Sequence, residues 1–143
     1  MPKKLYNIAF NYMTLNTVYK LTGLSYILYA ISILLPCFMY IFKDKNVSLM
    51  NGLCIILCAA IYLYFSTIAK TMRKKYDSVI NYTVCYLLES KNISNVEDVI
   101  VKCVKYLYEK HSDVPEIHYN IITTKVINEY MRRLKQIFIK GDN

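Results

Sequence analysis

The sequence predicts an all-α protein: a two-helix transmembrane hairpin followed by a small helical cytoplasmic domain. Three observations carry this. Two charge-free apolar runs stand close together in the N-terminal half, Leu21–Phe42 with 22 residues and Asn46–Ala69 with 24. The excess positive charge flanks those runs. The rest of the chain repeats its apolar residues at intervals of three and four, with no alternation strong enough to specify strands.

Composition agrees. Hydrophobic residues make up 55% of the chain and charged residues 20%, against about 25% charged in an ordinary soluble domain. The net charge of +8 is local: residues 1–75 hold nine Lys/Arg and one acid, Asp44, while residues 76–143 hold nine of each sign. A basic excess beside apolar runs suits anionic lipid headgroups. A domain that binds duplex nucleic acid would carry the excess on its soluble part, so no duplex partner is expected.

The first element is an interfacial helix over residues 3–20, with Leu5, Ile8, Tyr12, Leu15 and Tyr19 on one side. It belongs to a membrane domain, 1–75, with transmembrane helices at 21–42 and 46–69. At 1.5 Å per residue each run reaches across a hydrocarbon core of about 30 Å. The Lys43-Asp44-Lys45-Asn46 connection is too short for anything but an antiparallel hairpin. Seven Lys/Arg flank the two-ended face and two the loop face, which places both termini in the cytoplasm. Pro36 is expected to kink the first span. Neither run contains an Asp, Glu, Lys, Arg or His, so the proton relays and coupled transporters that place such groups at depth are not expected. Any pore would require a homo-oligomer, lined by residues such as Ser25, Tyr29, Ser32, Ser66 and Thr67; helix-to-helix packing is the simpler role for them.

The cytoplasmic domain, 76–143, begins on a continuation of the second span. No Gly or Pro occurs from Leu53 to Val114, and Met72, Tyr76, Val79, Ile80, Thr83, Val84 and Leu87 keep a helical stripe to about Glu89. A break fits at Ser90–Asn92. Ser94 and Glu97 then form a capping-box pattern, and Val96, Val99, Ile100, Cys103, Val104 and Leu107 give an amphipathic helix. Pro115 suits the first turn of a last helix over about 115–139. Tyr119, Ile122, Val126, Ile127, Tyr130, Met131, Leu134, Ile137 and Phe138 form its apolar face.

No catalytic constellation is present. Three glycines (Gly23, Gly52, Gly141) do not make a phosphate loop. The five cysteines match no zinc spacing and read as small apolar residues. His111 and His118, with Asp113 and Glu116, are better read as loop and surface residues than as a metal site. Nothing in the sequence brings Cys103 and His111 together as a nucleophile pair. No metal or cofactor is expected.

One cluster points to a ligand. At about 100° per residue, Lys125, Arg132, Arg133 and Lys140 share one face of the last helix, with Glu129 and Gln136 among them. Guanidinium forks suit phosphates, and Tyr119 or His118 nearby would stack on a base. The simpler reading is a solvated face. In layout, the basic-flanked hairpin Leu21–Phe42 and Asn46–Ala69 with its compact tail resembles the small two-helix membrane effectors of prokaryotic antiphage systems, encoded beside type III CRISPR loci or cyclic-oligonucleotide synthases. The resemblance is one of architecture and rests on no diagnostic motif. It implies an oligomer in the lipid bilayer whose tail binds a cyclic oligonucleotide and whose spans then gate or breach the membrane. The alternatives are an accessory or assembly subunit of a membrane complex, or a holin- or immunity-type protein.

Overall fold

The computed structural model describes residues 3–41, 47–90, 93 and 95–141. Within them the chain is all-α. Helices run over Lys3–Tyr12 (α1), Leu15–Ile41 (α2), Val47–Glu89 (α3), Val96–Lys110 (α4) and Tyr119–Gly141 (α5), with a 3-10 turn at Glu116–His118 before α5. They sort into two compact units, one of residues 13–72 and one of residues 1–12 with 73–143. Helix α3 contributes to both.

Two helices are long and apolar enough to cross a membrane, and the second runs on past the end of the 13–72 unit. Leu15–Pro36 and Asn51–Glu89 contain 18-residue windows of mean hydropathy 1.6 and 2.1. Tyr26 and Tyr29 of α2 meet Tyr62 of α3, with ring centroids 5.7 and 6.4 Å apart. The hydroxyls of Thr22, Ser25, Ser32 and Thr67 each donate to a carbonyl three or four residues earlier on their own helix, at 2.7–2.9 Å. That satisfies a polar group in apolar surroundings without a partner helix. Helix α2 continues through Pro36 to Ile41. The connection Lys43–Asn46 lies outside the described residues.

The N-terminal helix differs from its sequence reading. A single helix over 3–20 was expected; the chain instead leaves helix after Tyr12 and restarts at Leu15. Thr14 explains the break. Its side-chain oxygen accepts from the Thr17 amide at 3.3 Å and its carbonyl accepts from Val18 at 3.0 Å, the arrangement of a helix N-cap. Residues 15–20 therefore open α2.

The core of the other unit is built from α1, α3, α4 and α5. The α3 stripe is buried as its spacing predicts: in this unit Thr83, Val84 and Leu87 are at 0% exposure and Tyr76 at 1%, and Met72, at the end of the first unit, is also at 0%. Helix α4 adds Val99, Cys103 and Leu107, and α5 adds Ile122, Val126 and Tyr130. The start of α4 is capped one residue later than expected. Asn95 Oδ1 accepts from the Asp98 amide at 2.8 Å, and Glu97 and Asp98 place acids in the first turn, where the helix dipole favours them. Ser94, the expected cap, lies outside the described residues. Asn95→Ala is expected to cost about 0.5–2 kcal/mol; faster hydrogen exchange confined to the first turn of α4 would show it. Pro115 precedes the last helix rather than opening it. Its carbonyl accepts from the His118 amide at 3.0 Å, closing the 3-10 turn from which α5 starts.

Candidate functional site

The cationic face of α5 lies beside α3. Asp77, Ile80 and Asn81 of α3 and Lys125 and Glu129 of α5 line an open cleft of about 410 Å³. The Lys125 ammonium stands 5.8 Å from the centroid of the Tyr76 ring, within cation–π range. Glu129 collects both arginines. Arg132 Nε and Nη2 donate to its two oxygens at 2.8 and 2.7 Å, and Arg133 Nε donates at 2.9 Å. Those hydrogen bonds hold the Glu129 carboxyl down to about 2. Arg133 also reaches α3, where its Nη2 donates to Asn81 Oδ1 at 2.8 Å. Arg133 thus ties α5 to α3, whereas Arg132, with a side chain 60% exposed, bonds within its own helix and faces solvent.

Six residues were expected at one ligand site, and the structure gathers three. Arg132 and Arg133 bond Glu129, and Lys125 lines the same cleft as that carboxylate. The side chain of Lys140 lies outside the described residues. Tyr119 lines a different groove, between α4 and the start of α5; burial first, then the neighbouring Glu116 and Tyr108, raises its phenol above the usual range.

His118 is an interior residue, not a surface one. It is at 0% exposure. Its Nε2 lies 2.6 Å from the Phe10 carbonyl, and its Nδ1 bonds the Tyr76 hydroxyl. A carbonyl only accepts, so Nε2 carries the proton and Nδ1 accepts from tyrosine. The imidazole stacks on Phe10 at 4.6 Å and meets Tyr76 edge-on at 5.4 Å. Three elements, α1, α3 and the 3-10 turn, thus meet on one neutral ring. Burial lowers its pKa below the ordinary imidazole value, the Phe10 carbonyl opposes that, and the charge of Lys75 adds to it. Lys75 lies 4.4 Å over the Phe10 ring and 2.8 Å from Asp113, which lowers the Asp113 pKa chiefly through that hydrogen bond.

Cys103 is buried with its thiol 3.8 Å from the Thr123 hydroxyl. Burial pushes the thiol up, against the opposing bond from Thr123, so it is a poor nucleophile. Among the described residues no three His, Cys, Asp or Glu side chains gather as a metal site. No protein-family model matches the chain, and neither a curated protein nor a solved structure does.

Proposed function

We propose that the chain is a non-enzymatic, oligomeric membrane effector whose extramembrane unit receives a phosphate-rich signal of the cyclic-oligonucleotide kind. In this reading α2 and the apolar part of α3 cross a cell membrane with both termini in the cytoplasm. The observation that carries it is the exposure of the apolar windows. Only 17% and 11% of them are buried, whereas the core helix of a soluble protein would be mostly covered. The signal-binding part rests on Lys125 in the α3–α5 cleft and on Arg132 and Arg133, which are held by the cleft's Glu129.

Glu129 sets the terms of binding. It already occupies both guanidinium groups, so an anion must displace a carboxylate from at least one of them. Arg132 is the one free to turn outward. Ligand bound across α3 and α5 would favour one arrangement of the two helices, and α3 continues into the apolar segment; a signal acts only through such differential affinity.

Calorimetry on the full chain in detergent, with cyclic di-, tri-, tetra- and hexanucleotides as probes, tests this. Binding should weaken as salt rises. Arg132→Ala should cost about 1.5–3 kcal/mol, the range for a hydrogen bond to a charged group, and Glu129→Gln should tighten binding by removing the competing carboxylate. No binding by any probe, or no effect of either substitution, would return this face to a solvated surface and leave an assembly subunit as the better reading.

A further inference from the structure

Helix α4 carries more apolar surface than its own unit covers. At about 100° per residue, Val99, Cys103 and Leu107 face the interior, and Ile100, Val101, Val104 and Tyr108 fill the adjoining arc. That arc is exposed, with Val101 at 65% and Tyr108 at 68%. It forms one wall of an open groove of about 720 Å³ whose other wall is Glu116, Tyr119 and Asn120. Glu97 stands in that arc in the first turn, and Lys105, two turns later, borders it and lines the groove. Lys105 meets Glu109 of its own helix at 3.9 Å, both side chains being largely exposed, a pair that contributes little.

We propose that this face packs against the same face of a second copy, α4 against α4, antiparallel about a two-fold axis near Val101. This rests on the oligomeric reading above and assigns one of its contacts. A two-fold interface brings a surface against itself, so it must be self-complementary. Centring the pair on Val101 sets Glu97 of each copy against Lys105 of the other, while the apolar residues between them meet across the axis. A parallel pairing would set like charges together. The balance of one acid and one base also argues against an anionic lipid surface as the occupant, since that calls for an excess of Lys and Arg.

Cross-linking of the full chain in membranes tests the contact. With the exposed Cys54 and Cys85 replaced by Ser, Val101→Cys should give a disulfide-linked dimer on mild oxidation that the same background without it does not give. Adding Lys105→Glu should lower its yield several-fold, and adding Glu97→Lys as well should restore it, because the reversed charges again face each other. An absent dimer, or a yield indifferent to the charge changes, overturns the proposal, as does a cross-link to a species of another mass. The mass of the parent chain in detergent separates two failures. An oligomer without the Val101 cross-link leaves the oligomeric reading standing and removes this surface. A monomer removes both.

Discussion

His118→Leu is expected to release α1 from its own unit. The substitution keeps an apolar side chain in the stripe but removes the donor to the Phe10 carbonyl and the acceptor used by Tyr76. Phe10 lies in the last turn of α1, where carbonyls have no partner within the helix, and His118 supplies one. Each buried bond lost costs about 1–3 kcal/mol, so the variant should be destabilised by roughly 2–6 kcal/mol in sum. Hydrogen exchange on the full chain in detergent locates the effect: the α1 amides should exchange much faster, with α4 and α5 changed less. The parent should show the same loosening as pH falls. The docked imidazole has a pKa below the ordinary value near 6.5, so the undocked state binds the proton more readily. The stabilisation is therefore complete above about pH 6.5 and declines below it, until the docked ring itself titrates. The leucine variant should lose that dependence. Equal α1 protection in parent and variant would show that the stacking of Tyr6, Phe10 and residue 118 holds the helix without the hydrogen bonds.

How far these features can be read in the sequence depends on how local their causes are. The α3 stripe is legible because burial on one side of a helix imposes the 3.6-residue period, and all seven of its residues, Met72 to Leu87, are buried. The α4 pattern is legible as a helix but not as a depth. Its apolar residues spread over a wide arc, and only packing decides that Val99, Cys103 and Leu107 are inside while Ile100 and Val104 are not. Thr14 was hidden by its neighbours: Leu15 and Tyr19 continue the spacing of Ile8 and Tyr12 straight across the break. The pairing of Glu129 with Arg132 and Arg133 has a local signature, an acid three and four residues before two bases, and Glu129 is legible in the sequence on the same face as the bases it pairs. His118 is the instructive miss. It sits four residues before Ile122, which is four before Val126, so it falls on the interior stripe. Its partners, however, are 42 and 108 residues away, and no spacing rule reaches that far.

Leu107→Ala should be among the most damaging single changes in the unit of residues 1–12 and 73–143. The side chain is at 0% exposure on the helix that closes one side of the core, and its backbone carbonyl accepts the capping amide of His111 at 2.9 Å. Truncating a fully buried leucine removes transfer energy and leaves a cavity that relaxes only in part, at about 2–5 kcal/mol. Thermal unfolding of the full chain in detergent, with exchange at α4 and α5 amides as the local measure, should register it. Val101→Ala serves as the contrast. It lies on the same helix but is 65% exposed, so a change below about 0.5 kcal/mol is expected for a surface site in an isolated copy. The two variants together separate the interior of the unit from its outer face. If copies pair through α4, Val101→Ala should weaken the parent oligomer while leaving a dilute monomer's stability untouched, whereas Leu107→Ala should lower stability at every concentration. A Leu107→Ala loss under half a kcal/mol would mean that α4 packs on another face than the one described.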